Sequence, residues 1–368
     1  MRTVGFAVLT LLSTCFFATT SFALARSPDV GRSDAKDIRR TQLAPGIWQF
    51  TVWRDAYVRQ LNTVVVECDK DVLVFDTQTR PSSARAIIAQ IKKLTAKPVR
   101  YVVNSHWHPD HWTGNAEFVA AWPGLDVIAT KKTNEFMHAV APMWPHSFAA
   151  QVESTQAGLR QELASGKQSD GTPLTAALRA EDEDDAHNFE DMAREVAAEP
   201  RAFPTLTYNG EMTLNHGGRE IRLLEITGDC EGTTAMYLPK ERILVTGDAL
   251  SYPIPYSCWL TSKHLASLRD LDKLDLAVIV PGHGPAFYDK SWLELETDLL
   301  HEIEDGVHAQ LAKGVIRLAD VQSAVTCEDL RQSFTHGDPE LDERFKARVK
   351  AFVKFAVVEA RGGVELPL

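Results

Sequence analysis

The stretch Pro98–Asn115, PVRYVVNSHWHPDHWTGN, constrains the chain more than any other. Its apolar start around Val99, Val102 and Val103 reads as a buried strand, and the strand runs straight into His106, His108, Asp110 and His111. Upstream, VLVFD is another strand, and SSARAIIAQIKKLTAK carries Ala84, Ile87, Ile88, Ile91 and Leu94 at helical spacing. Strand, helix, strand and then a loop crowded with polar side chains is an α/β order.

Imidazole and carboxylate groups suit zinc, and a loop leaving a strand aims alternate side chains at two metal positions a few ångströms apart. His106 and His108 are assigned to one metal, Asp110 and His111 to the other. A lone histidine is ordinarily a core or surface residue, whereas these residue types at this spacing are rare by chance.

The rest of the chain divides by texture. Arg2 precedes an apolar run from Val4 to about Phe22, and FALARS offers Ala23 and Ala25 as a small-residue cleavage site, so residues 1–25 are expected to be a secretory signal. Export to the periplasm or beyond the cell follows, with no membrane span left after cleavage. A polar linker leads to one domain, 42–368, whose first half alternates short strands with turns such as CDKD. Residues 131–204 break that pattern with charged helical segments and no strand-like runs, an expected insertion that serves either as a lid or as a homodimer element. Its EDEDD run, Glu181 to Asp185, reads as a solvated helix face. Strands resume at TLNH, EIRLLEIT, TTAMYLP, RILVTGD and LAVIVPGHG, and the C-terminal DERFKARVKAFVKFAVVEARGG has an apolar stripe closed by glycine.

A net charge of −11 argues against a nucleic-acid partner gripped through phosphates and leaves a small molecule as the expected one. Cys68, Cys230, Cys258 and Cys327 follow the signal without a C-x-x-C spacing, so they are either buried thiols or, in an exported protein, disulfides, with Cys230–Cys258 one candidate pair.

The histidine motif, followed by ITGDCEGTTAMYLPKERILVTGDAL and VPGHG, resembles the metallo-β-lactamase-fold hydrolase superfamily in the same order from Ile47 to Ala286. The resemblance implies a four-layer αββα sandwich with the metal site at one edge between two sheets. It implies that Asp248 bridges the metals and that His283 completes the second site with Asp110 and His111. It also implies metal-activated water as the nucleophile, oriented by Asp110, in hydrolysis of an ester, lactone, amide, phosphoester or sulfate ester. β-Lactamase activity, or a ligand-binding module with weak turnover, is the alternative.

One departure stands out. Where the family carries a third histidine ligand, alignment through GTTAMYLP places Asp229. Aspartate binds zinc at about 2.0–2.2 Å but is shorter than histidine, so the backbone must approach more closely, or the first site is weak and only one metal binds. A third carboxylate beside Asp110 and Asp248 makes the metals weaker Lewis acids and widens the expected pair from zinc to manganese or iron. Cys230, next to it, is a rival thiolate ligand.

Around these ligands, Trp107, Trp112, Tyr252, Tyr256, Trp259 and His264 are candidate pocket residues, and Met143, Trp144 and Phe148 are candidate contributions of the insertion to an apolar wall. These predict an apolar or amphipathic substrate. Core packing competes with the pocket assignment at each aromatic position. Asp76, at the end of VLVFD, either orients a ligand histidine or caps the strand end.

Overall fold

The computed structural model describes residues 38–54, 59–167 and 173–363; the signal assigned to residues 1–25 lies outside them. Seven strands form the first sheet in sequence order: β1 (Ile38–Ala44), β2 (Ile47–Arg54), β3 (Arg59–Glu67), β4 (Val72–Phe75), β5 (Val99–Val103), β6 (Asp126–Thr130) and β7 (Leu206–Tyr208). Pairing is antiparallel from β1 to β4 and parallel from β4 to β7. The second sheet has the order β12 (Val278–Val280), β11 (Ile243–Val245), β10 (Glu231–Leu238), β9 (Arg219–Thr227) and β8 (Glu211–His216).

Side-chain alternation builds the layers. Val64 and Val66 of β3, Leu73 and Phe75 of β4, and Val103 of β5 face inward to meet Met236, Leu238, Ile243, Val245 and Val280 of the second sheet. The alternate residues Val65, Val74 and Val102 face outward onto Ile87 and Ile91 of α1 (Pro81–Leu94) and Phe118 of α3 (Asn115–Ala121), which follows the short α2 (Pro109–Trp112). On the far side, Ala235, Tyr237, Leu244 and Ile279 pack on α7 (Thr261–Asp272), α8 (Ser291–Ala312) and α11 (Pro339–Ala360). This is the expected four-layer α/β arrangement. In α1 proline opens the helix, Ala84, Ile87, Ile88 and Ile91 are buried, and Lys92 and Lys93 sit in the last turn where the macrodipole favours cations.

Between β6 and β7 the chain makes α4 (Lys131–Val140), α5 (Trp144–Ser165) and α6 (Ala176–Ala198). The Thr130 hydroxyl caps α4 by accepting the Thr133 N–H at 3.0 Å. These helices bury their own cluster: Met137, Trp144, Phe148, Phe189 and Met192. The acidic run of α6 departs from a solvated face, because Asp182 and Asp185 are buried. Their three-residue spacing puts both on the helix side that also presents Phe189 and Met192. Two small helices, α9 (Leu318–Ala324) and α10 (Glu328–Thr335), lie between α8 and α11. Among the described residues no helix is long and apolar enough to cross a membrane.

The α1 stripe gives a direct test of this packing. Ile87→Ala should destabilise the protein by about 2–5 kcal/mol in urea unfolding, since the side chain is fully buried between helix and sheet. A loss below about 1 kcal/mol would mean that α1 does not seal the first sheet.

Candidate metal centre

The donor side chains come from loops at one edge of the sandwich. His106 and His108 follow β5, and Asp110 and His111 lie on α2. Asp229 occupies the β9–β10 turn, Asp248 a single 3-10 turn after β11, and His283 the loop after β12. They converge as two groups of potential ligands, His106, His108, Asp229 and Asp248 in one, Asp110, His111 and His283 in the other.

A network of ordinary hydrogen bonds sets their orientation. Asp76, at positive φ after β4, accepts the Ser105 N–H with one oxygen and both the Ser105 hydroxyl and His111 Nδ1 with the other, all at 2.7 Å. Because a carboxylate only accepts, His111 carries its proton on Nδ1 and turns the Nε2 lone pair inward. The single hydroxyl proton of Ser105 is spent on Asp76, so its oxygen accepts from His106 Nδ1 at 2.9 Å, and the His106 Nε2 lone pair also faces inward. The loop itself is fastened by Asn104 and Asn115, which bond each other, while Gly114 lies where a Cβ would meet the Thr77 carbonyl oxygen at 2.1 Å. Behind His283, the Asn62 amide donates to the carbonyls of Pro281 and Gly284 at 2.9 and 2.8 Å.

The convergence is close. His108 Nδ1 is 2.9 Å from both His106 Nε2 and Asp229 Oδ2. His111 Nε2 lies 3.4 Å from Asp110 Oδ2 and from Asp248 Oδ1. His283 Nε2 lies 3.3 Å from Asp110 Oδ2 and 3.5 Å from Asp248 Oδ2, and the same Asp248 oxygen is 3.9 Å from His106 Nε2. Asp248 therefore stands between the two groups. Ligands about 2.0 Å from a tetrahedral metal are about 3.3 Å apart, so this spacing suits a cation at the centre of each group. His111 Nε2, Asp229 Oδ1 and Asp248 Oδ1 are buried without a hydrogen-bond partner among the described residues, which fits the same reading. Nitrogen and carboxylate donors without thiolate suit zinc and also manganese or iron.

Charge points the same way. Burial opposes ionisation of Asp110, yet His111 and His283 hold it well below the usual carboxylate range. Asp229 is likewise held low against burial by His106 and His108. His111 is raised well above its ordinary value because Asp248, Asp110 and Asp76 outweigh burial, so a proton and a metal compete for its inward Nε2 lone pair, whereas burial pushes His106 down to about 4. The pocket holds Asp110 and Asp229 ionised and draws positive charge.

How the short Asp229 reaches the site is visible in the backbone. Gly228 presses on the Asp248 turn so closely that a Cβ would lie 2.8 Å from the Ala249 Cα. That approach makes up for the length aspartate lacks.

Several sequence expectations change. Cys230 is not among the converging donors: its sulfur sits 3.7 Å from the Thr233 hydroxyl, within the buried apolar cluster. All four described cysteines are free, so there is no Cys230–Cys258 disulfide; both thiols are buried in the apolar cluster of α4–α6. Trp112 is fully buried, donates to the Trp107 carbonyl at 2.8 Å and belongs to the core rather than a pocket. Trp144, Phe148 and Trp259 are in that same buried cluster and Met143 packs against it, because long helices stacked on one another need a core of their own. His264 is fully buried and donates Nε2–H to the Ala249 carbonyl at 2.9 Å, bracing the Asp248 turn from behind. Tyr252 packs on Trp292 and Phe287, with ring centroids 4.9 and 6.0 Å away. Trp107 touches the His108 ring from a buried position, and half-buried Tyr256 sets its ring edge-on to His283 with centroids 5.5 Å apart. His108 and Asp110 are the most open donors, with 23% and 12% of their side chains exposed, so the centre opens on their side.

Comparisons with known proteins agree with this geometry. The model of the metallo-beta-lactamase superfamily matches residues 56–283. The linear primary-alkylsulfatase of Pseudomonas sp. (strain ATCC 19151) is 22% identical over 264 residues, 68% of this chain and 47% of that protein, so the chain spans about half the length of the curated relative it matches. The stereoselective inverting sec-alkylsulfatase Pisa1 from Pseudomonas sp. has a similar solved structure, with a TM-score of 0.57 and 16% identity over 88% of this chain and 50% of that one. A metallo-beta-lactamase family protein from Thermus thermophilus reaches a TM-score of 0.54 at 21% identity, over 87% of this chain and 95% of that one. At these identities the two structures show the fold.

Two variants probe the centre through metal content. Asp76→Asn should weaken metal affinity about 10–100-fold in chelator competition, because an amide cannot accept all three donors; unchanged affinity would remove Asp76 from the account. Gly228→Ala should withdraw Asp229 and lower the metal content by about one ion per chain by mass spectrometry, as should Asp229→Ala. Full loading of both variants would show that Asp229 is not a ligand.

Proposed function

The chain belongs to the metallo-beta-lactamase superfamily, and from that premise we propose that it is a metal-dependent hydrolase of small-molecule esters, with sulfate esters of apolar alcohols the foremost substrate class. The observation that carries the reading is the inward aim of the buried donors, with Asp248 between the two groups. Two zinc ions are the proposed cofactor, and metal bound there supplies Lewis acidity and a water made acidic near neutral pH.

The chain's own residues do the rest. His106 and His111 present lone pairs because Asp76 and Ser105 hold their protons on the far side of the rings. Asp110, ionised and partly open, orients the attacking water toward the substrate's electrophilic centre. Tyr256, half-buried beside His283, flanks the opening with aromatic surface that suits an apolar alcohol portion, while Trp107 backs His108 from the core. The alkylsulfatase relative supports the sulfate-ester preference. Export to the periplasm or medium is part of the proposal and rests on the composition of residues 1–25.

The test is a screen of zinc-loaded protein against octyl sulfate, octyl acetate, a phosphate monoester, a lactone and a β-lactam. Octyl sulfate should turn over, and Asp110→Asn should lower kcat about 10²–10⁴-fold. Turnover of the β-lactam alone would replace the ester reading with a lactamase, and no turnover of any compound by metal-loaded protein would reject the hydrolase.

A further inference from the structure

The C-terminal helix α11 brings cations to the metal centre. It buries Phe345, Val349, Phe352 and Val353 against the outer helix layer, which fixes its rotation. Arg344 and Arg348, one turn apart, are thereby neighbours on the helix surface. Both are half-buried. Arg348 donates to the Ser257 hydroxyl at 3.0 Å and places its guanidinium carbon 5.4 Å from the centroid of the Tyr256 ring. Tyr256 is the same residue whose ring meets His283 edge-on. The loop before it, Tyr252 to Tyr256, contains Pro253 and Pro255, which restrict the backbone that presents this ring.

Electrostatics mark Tyr256 as the boundary between two fields. Tyr256 meets His283 on the metal side and the Arg348 guanidinium at its ring face, so it stands between the donor carboxylates and the helix arginines. The charge of Arg344 also bears on Arg348. Two adjacent guanidinium groups in a half-buried position repel each other and call for an anion. Elsewhere the chain supplies one: Arg331 pairs with Glu328 and Asp342, Arg80 with Glu195, and Arg222 with Glu211. Among the described residues Arg344 and Arg348 form no ion pair with a carboxylate, in a chain with 50 acidic and 39 basic residues.

We propose that Arg344, Arg348 and the Tyr256 hydroxyl form an anion subsite at the rim of the metal centre, which holds the sulfo group of a substrate while its ester linkage faces the metal donors. The planar guanidinium fork matches the oxygens of a sulfo group, and the pair selects anionic over neutral esters. This inference rests on the hydrolase reading for its substrate, but its binding test does not require turnover.

The probe is octyl sulfonate, whose carbon–sulfur bond is not an ester. Calorimetry on the zinc-loaded protein should show binding that weakens with added salt. Arg344→Gln, which breaks no hydrogen bond among the described residues, should weaken it several-fold, and Arg344→Gln/Arg348→Gln by about tenfold or more. Arg348→Lys should recover part of the loss, and across the series KM should rise more for octyl sulfate than for octyl acetate. Equal octyl sulfonate affinity in native and doubly substituted protein, with both folded by circular dichroism, would overturn the subsite. Arginine-dependent binding without turnover of any ester would leave the subsite standing and reject the hydrolase. Turnover of octyl sulfate with KM unaffected by the double substitution would do the reverse.

Discussion

The metal centre depends on one buried carboxylate. Asp76 accepts three hydrogen bonds and thereby settles where two imidazoles carry their protons: His111 directly, and His106 through the Ser105 hydroxyl. Each tautomer leaves a lone pair facing inward, toward the other donors and Asp248. The same carboxylate ties the end of β4 to the loop after β5, so the parallel pairing of the first sheet and the orientation of the ligands are one structural fact. A lone pair aimed by a rigid strand end costs no reorganisation when a cation arrives, and affinity rises accordingly.

The departure at Asp229 is a solution in backbone rather than side-chain length. A histidine would span the gap with its ring; aspartate needs the turn itself to move in, and glycine at 228 permits contact with the Asp248 turn that any Cβ would forbid. The Asp248 turn is confined equally tightly from its other side, since a Cβ on Gly282 would fall 1.9 Å from its carboxylate oxygen. Two glycines thus allow three loops to meet at a spacing set by the donors. On the proposed pair of divalent ions, the carboxylates of Asp110, Asp229 and Asp248 would set three negative charges against four, lowering the net positive charge available to polarise a substrate.

Much of this was legible before any coordinates. The short apolar runs VLVF and VRYVV, bounded by turn and ligand residues, and the α1 stripe name the layers correctly, because burial on both faces of a sheet leaves a strand apolar along its length. The ligand-type residues stand out by chemistry and spacing alone. What escaped was direction. The polar residues Ser105, Asn62 and Asn104 look like any loop residue, and only their partners across 29, 219 and 7 positions reveal what they fasten. The aromatic residues near the ligands failed in the opposite sense: Trp112, Trp144, Phe148 and Trp259 are apolar enough for a pocket wall or a core, and α4–α6 claim them as core. EDEDD shows the same limit, since a helix face is set by what packs on it and not by its charge.

With those aromatics withdrawn into the helical cluster, recognition of substrate falls to fewer groups. His108 and Asp110 define the open side of the centre, half-buried Tyr256 borders it, and the proposed anion subsite lies on a helix that begins more than fifty residues beyond the last ligand. On the proposed reading the two functions would rest on separate supports: the donors on loops that leave the strand ends, the arginines on an outer helix held by Phe345, Val349 and Phe352. Separation of this kind lets the outer helix change its surface residues without disturbing Asp76 or the lone pairs it directs. It also explains why a fold-level likeness, strong over residues 56–283, says little about the substrate: the match ends at His283, before the helix that carries Arg344 and Arg348 begins.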